Sequence, residues 1–240
     1  MCGAPAEMPV GRAGPPLLEA PPAEVVSERL DGIRTRIQGA GRDPESVRVV
    51  AVTKGFDRSA PDAAYAAGLL DIGENYPDEL VAKAAAPRPA DAVWHMLGAI
   101  QRRRVKTLAA VVGCWQTVSR DVEVLSIAEH APGAAVFIQV DTTGMANRNG
   151  CAPEEVPRLA GTARECGLRL RGLMTIGPPG PPGQARQGFE LVASLAADLG
   201  VAEISMGMSD DLEVAVMAGS TMVRVGRALF GPRGPRAAIG

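Results

Sequence analysis

A lysine at the end of one apolar run, an arginine inside another, and a serine and a glycine that each open a helix are the residues of this chain best suited to chemistry. The lysine is Lys54, in "VRVVAVTKGFD" from Val47 to Asp57, where a segment that reads as a buried strand leads straight into an ammonium group. One such lysine ordinarily marks the point where a strand meets water. The later apolar segments end similarly, on Glu74 and Asn75, His95, Ser119, Asp141, Thr175, Ser205 and Met206, and Arg224. Together these ends describe a ring of hydrogen-bonding and titratable groups with Lys54 inside it.

The last two segments carry a second pattern. "SMGMSDDLEVAVMAG" supplies Gly207 and then Ser209 at a helix N-cap, where unpaired amides and the helix dipole favour an anion. "MVRVGRALFG" places Gly226 at the start of the final helix, where a residue without a side chain lets backbone amides approach a ligand. A lysine on one side, a phosphate cradle on the other and Arg224 between them imply a phosphorylated carbonyl ligand, because lysine amines form Schiff bases with carbonyls once the neutral amine is favoured. Pyridoxal 5'-phosphate is such a ligand, and its ring nitrogen takes an Asp or Arg partner. Arg224 would fill that place.

The elements that must position these groups are legible in the hydrophobic pattern. "AEVVSERLDGIRTRIQGAG" from Ala23 predicts a helix, with Val25, Val26, Leu30, Ile33 and Ile37 near helical spacing and glycines at its end. Thereafter short apolar runs alternate with helical segments, from "VRVVAVT" to "STMVRVG". Continuous apolar strands alternating with helices are parallel and covered on both faces. The count of eight such units predicts an α/β fold of the (β/α)₈ TIM-barrel type with an extra N-terminal helix, a doubly wound open sheet being the competing arrangement. In a barrel the strand carboxyl ends form the active face, and phosphate sites form after strands seven and eight. The expected organisation is a disordered tail over residues 1–22, rich in Pro, Gly and Ala, and a single domain over 23–240.

Composition narrows the function classes. The 240 residues are 46% hydrophobic and carry a formal net charge of −2, so no overall positive field draws in nucleic acid. The local "QRRRVK" cluster at Gln101–Lys106 lacks interleaved aromatics and reads as a solvated helix face. No apolar run is long enough to span a bilayer, and the N-terminus lacks the basic start and apolar core of a secretory signal. Cys2, Cys114, Cys151 and Cys166 are scattered and stand far from His95 and His130, which predicts neither a zinc site nor a disulfide framework and points to a reducing, cytoplasmic compartment.

The segments "AVTKGFD", "IGENY" (Ile72–Tyr76), "WHMLGAIQ" (Trp94–Gln101), "LRLRGLMTI" (Leu168–Ile176) and "SMGMSDDLEVAVMAGSTMVRVGRALFG" (Ser205–Gly231) resemble those of the YggS-like pyridoxal phosphate homeostasis proteins. That family shares its barrel with the N-terminal domain of alanine racemases. The resemblance implies a monomeric or weakly associated barrel that holds pyridoxal 5'-phosphate on Lys54, buffers it or delivers it to apo enzymes that need it, and has no firmly established turnover. It implies further that Asn75 and His95 line the cofactor face, Arg224 meets the pyridine nitrogen, and Ser209, Gly226 and Arg227 receive the phosphate. The chain departs from the family pattern at Pro77, Arg103, Arg104, Arg148 and Arg227, all rim positions.

Two enzymatic readings compete with a carrier. A pyridoxal phosphate racemase needs a base on each face of its substrate, and in the related enzymes the second base comes from an additional domain, whereas this chain ends soon after its last barrel unit. A Schiff-base aldolase of the same fold would place its lysine on a later strand, and the sixth, "LRLRGLMTI", has none. The carrier is therefore the expectation.

Overall fold

The computed structural model describes residues 16–145 and 148–233; the tail expected over 1–22 thus lies outside the described residues up to 15. After α1 (Ala23–Gly39) the chain alternates without interruption. The sequence runs β1 (Arg48–Val52), α2 (Ser59–Ala66), β2 (Asp71–Glu74), α3 (Pro77–Ala84), β3 (Val93–Met96), α4 (Arg102–Leu108), β4 (Cys114–Val118) and α5 (Asp121–His130). It continues with β5 (Ala135–Val140), α6 (Val156–Glu165), β6 (Arg169–Thr175), α7 (Arg186–Asp198), β7 (Glu203–Ser205), α8 (Leu212–Met217), β8 (Met222–Val225) and α9 (Arg227–Phe230). All strand pairs are parallel, and β1 closes the ring: Ala51 stands opposite Ile72 of β2 on one side and Val225 of β8 on the other. The sheet is a closed barrel in sequence order, not an open doubly wound sheet.

Alternation along each strand sorts the side chains into two layers. Val50, Cys114, Phe137, Met174 and Met222 point inward and fill the barrel. Val49, Ala51, Ile72, Trp94, Trp115, Leu173, Ile204, Val223 and Val225 belong to the layer beneath the helices. The same parity fixes the polar residues: Arg224 follows Met222 by two and faces inward, as do Gln116 after Cys114 and His95 between the outward Trp94 and Met96. Glu74, two residues after the outward Ile72, faces the helices instead, and so does Thr53 after Ala51. Lys54 continues the inward series of Val50 and Val52.

The segment before α1 is not free of the barrel. Leu18 forms a one-residue parallel bridge with Phe56, its N–H donating to the Gly55 carbonyl at 3.1 Å and its carbonyl accepting from the Asp57 N–H at 2.8 Å. The Ala20 N–H donates to Ser59 Oγ at 2.7 Å. The expectation of disorder up to Pro22 is corrected over this stretch. A Pro-rich composition argues against regular structure, but single backbone pairings suffice where the turn at Gly55 (φ +81°) turns its carbonyl toward the Leu18 N–H. No described helix is long and apolar enough to cross a membrane, and no metal-ligating cluster occurs among the described residues.

Candidate functional site

The strand carboxyl ends and the loops after them enclose a cleft of about 780 Å³. Lys54, Asn75, Ser209, Arg224, Gly226 and Arg227 all line it. Of the site residues expected from sequence, only His95 stands elsewhere.

Lys54 is held by what lies behind it. Thr53 and Glu74, on the helix side of the sheet, meet Lys83 and Glu79 of α3 in a buried polar cluster. Lys83 Nζ donates to Glu74 Oε1 at 2.5 Å, to the Thr53 carbonyl at 2.8 Å and to Glu79 Oε2 at 3.2 Å. Thr53 Oγ1 donates to Glu74 Oε1 at 3.1 Å, and the Gly55 N–H to Glu79 Oε2 at 2.9 Å. The residues on both sides of Lys54 are thus tied to α3. The Asn75 N–H donates to Glu74 Oε2 at 2.9 Å, so one carboxylate fixes two of the cleft's margins. Burial pushes the Glu74 carboxyl above its ordinary range, while the Lys83 ammonium pulls it back down.

Arg224 projects from β8 toward the mouth. Its Nη1 donates to the Ser205 carbonyl at 2.7 Å and to Ser205 Oγ at 2.9 Å, and its Nη2 to the Thr175 carbonyl at 2.8 Å. Both terminal nitrogens are therefore anchored, and Nε is left without a partner among the described residues. Burial lowers the guanidinium to about 10. It stays cationic at neutral pH.

The loops after β7 and β8 meet on the opposite wall. Gly207 adopts φ +94°, and a Cβ there would stand 2.6 Å from that of Ala215. Gly226 brings β8 so near β1 that a Cβ would lie 3.0 Å from the Val52 carbonyl oxygen. Ser209 Oγ accepts from the Ala228 N–H at 3.1 Å, joining the two loops. From outside, Arg36 of α1 donates to the Ser209 carbonyl at 2.9 Å and grips Glu213 at 2.6 and 2.8 Å. That hydrogen bond from Arg36 holds the Glu213 carboxyl below its usual range. The Arg227 guanidinium turns to Asp210.

His95 requires a correction. It stands opposite Gly73 and Cys114 inside the barrel, its Nε2 2.8 Å from Asp71 Oδ1 and its Nδ1 2.7 Å from Gln116 Nε2, and it is absent from the cleft lining. The inward parity that brings Arg224 to the mouth at the end of β8 leaves His95 in the side-chain layer below. Gln116, Lys83, Glu79 and Arg36 were not anticipated from sequence. The spacing of Glu79 and Lys83, one helical turn apart, was the available signal, but such pairs usually face water.

The donor set suits a phosphorylated aromatic aldehyde. It combines a primary amine, an inward guanidinium whose Nε–H is uncommitted, and a hydroxyl beside a glycine whose missing Cβ leaves backbone amides accessible.

A family model described as the N-terminal domain of alanine racemase matches residues 29–234. The chain is similar to the pyridoxal phosphate homeostasis protein of Pseudomonas aeruginosa, 39% identical over 219 residues, covering 88% of this chain and 95% of the relative. That of Deinococcus radiodurans is 37% identical over 206 residues, 84% and 97% of the two chains. Among solved structures, PipY of Synechococcus elongatus with PLP bound matches at a TM-score of 0.73 and 30% identity, covering 86% of this chain and all of that one. With its closed barrel, its cleft and relatives above 30% identity along almost their whole length, the chain belongs to the pyridoxal phosphate homeostasis proteins, a family built on the alanine racemase N-terminal barrel.

Proposed function

We propose that this protein binds pyridoxal 5'-phosphate and serves its homeostasis, holding the cofactor through Lys54 as a Schiff base and passing it to apo enzymes that use it. The observation that carries the reading is the convergence of Lys54, Arg224 and the Ser209–Gly226 wall on one cleft. When bound, the cofactor supplies an electrophilic aldehyde carbon and a ring able to take up charge. The chain's own residues do the holding. Lys54 offers the amine, and the Lys83 cluster keeps the loop on both sides of it in place. Arg224 offers its Nε–H to the ring nitrogen as a fixed donor, and its permanent charge disfavours a second proton there. Ser209 and the amides near Gly226 receive the phosphate, with Arg36 bracing the loop from behind. Asn75 lies along the rim beside them.

A carrier fits the lining better than an enzyme does. Among the described residues Lys54 is the one amine lining the cleft and the imidazole of His95 is not there, while the two carboxylates in the lining are committed, Asp211 to the Met208 N–H at 2.6 Å and Asp210 to the Arg227 guanidinium, which leaves the Tyr76 phenol as the other acid–base group. Arg224 at the ring nitrogen also weakens the ring as an electron sink. The barrel is taken to act as a monomer. The test is a visible absorption spectrum of the purified protein mixed with pyridoxal phosphate, before and after borohydride. A retained visible band that disappears on reduction supports the reading. A protein that keeps no cofactor after gel filtration sinks it.

A further inference from the structure

The interior polar residues of the barrel form an unbroken hydrogen-bonded line that leads from the cleft to the opposite face. Arg224 Nη1 donates to Ser205 Oγ at 2.9 Å, and Ser205 Oγ donates to Gln116 Oε1 at 2.6 Å. Gln116 Nε2 stands 2.7 Å from His95 Nδ1, and His95 Nε2 stands 2.8 Å from Asp71 Oδ1. The members sit on β8, β7, β4, β3 and β2 in turn, so every link joins two different strands. His95, Gln116 and Ser205 are each no more than 1% exposed. Asp71 opens onto a separate cavity of about 400 Å³ on the amino-terminal side of the strands, where Arg48 Nε lies 3.8 Å from its other oxygen.

The direction of the line is fixed by its ends. A guanidinium can only donate, so Ser205 Oγ accepts from Arg224 and must pass its own proton on. Gln116 receives that proton at its carbonyl and so presents its amide N–H to His95. That requires a lone pair on Nδ1 and places the ring proton on Nε2, aimed at the Asp71 carboxylate. Every side-chain polar atom of Ser205, Gln116 and His95 has a partner in this single arrangement. A proton on Nδ1 would oppose the Gln116 amide, and turning that amide over would leave the Ser205 hydroxyl proton without its acceptor. An apolar barrel filling would be cheaper than so many buried polar groups, since each is costly unless paired.

We propose that Asp71, His95, Gln116 and Ser205 are positioning residues for Arg224: a one-directional relay that fixes the guanidinium at the cofactor's ring nitrogen and couples it to the far end of the barrel. The proposal rests on the cofactor reading given above for Arg224. It assigns His95 a role through Arg224 and not through contact with the cofactor. Cutting the relay at Ser205 is the cleanest intervention, because Ser205→Ala leaves Arg224 its bonds to the Ser205 and Thr175 carbonyls.

The test follows the His95 ring by nitrogen NMR in protein labelled at histidine, with His130, on the surface helix α5, as internal reference. The expected spectrum shows the His95 proton on Nε2 and a hydrogen-bonded lone pair on Nδ1. Adding pyridoxal phosphate should move the His95 ring signals and leave those of His130 in place, and Ser205→Ala should abolish that response. Gln116→Met, which cuts the next link from another strand, should abolish it as well. A proton on Nδ1, or an undiminished response in both variants, overturns the relay. Absorption of the same samples shows separately whether cofactor is retained. Should the wild type retain none, the cofactor reading fails, and the relay is still decided in the ligand-free protein: Arg224→Lys must then move the His95 signals when Ser205 is present and not when it is alanine.

Discussion

Ser209 and Arg227 both line the phosphate wall, but their side chains are differently committed. Ser209 Oγ faces the Ala228 amide across the cleft wall, whereas the Arg227 guanidinium is engaged by Asp210. Ser209→Ala should therefore remove a hydrogen bond to a charged group, worth about 1.5–3 kcal/mol, and weaken pyridoxal phosphate binding by roughly tenfold to a hundredfold. Arg227→Ala keeps the backbone amide and should weaken it less, a ranking read from parallel fluorescence titrations. Pyridoxal without phosphate binding as tightly as the phosphorylated form would refute the wall's assignment. The two lysines nearest the mouth contrast in the same way. Lys54→Ala removes a group from the rim and should leave a folded protein, whereas Lys83→Ala strands two buried carboxylates and should cost about 3–5 kcal/mol by urea denaturation. Lys54 and Arg224 could be singled out from sequence because each combines an apolar strand with a charged residue at its end. Lys83 could not, since nothing in "PDELVAKA" says that its polar face is covered.

At the scale of elements, each strand falls within the apolar segment expected for it, because parallel strands buried on both faces read as continuous runs and their ends are marked by glycines and polar residues. What the pattern did not reveal was the layer each polar residue occupies. Glu74 and His95 both looked like mouth groups, yet alternation sends Glu74 outward to α3 and leaves His95 below the mouth. Pairings across the barrel, such as Ser205 with Gln116, involve residues 89 apart and have no local signature. The extra helix α1 is more than a cover for the barrel's lower end. Its Arg36 joins Glu213 of α8 to the Ser209 loop, and the Glu213 carboxyl is held low by that bond. The sign follows from linkage: a carboxylate whose folded value is depressed contributes stability that is complete above the ordinary value and is lost as pH falls through the folded one. Thermal unfolding of wild type and Glu213→Gln should differ at neutral pH, the gap narrowing as pH falls below the ordinary carboxyl range and closing only once the folded carboxyl is protonated as well. A difference that persists or grows in acid would assign the contact a different role.

For the whole molecule, one closed barrel presents one principal cleft on its carboxyl-terminal face, and the cofactor-directed groups that the sequence pattern singled out meet there, with His95 the exception. The cleft's lining explains why retention and not turnover is the expected property. Lys54 is the one amine in the lining among the described residues, the carboxylates of Asp210 and Asp211 are engaged by Arg227 and the Met208 N–H, and an acid–base step left unserved is worth roughly 10²- to 10⁴-fold. Exchange of the α-proton of alanine with solvent deuterium should therefore run far below ordinary enzyme rates of roughly 1 to 10³ per second. The central claim, that Lys54 carries the cofactor, is tested most directly by reducing the pyridoxal phosphate complex with borohydride and mapping the labelled peptide. The pyridoxyl group is expected on Lys54 alone, and its appearance instead on Lys83 or Lys106, with Lys54 unmodified, would contradict the account.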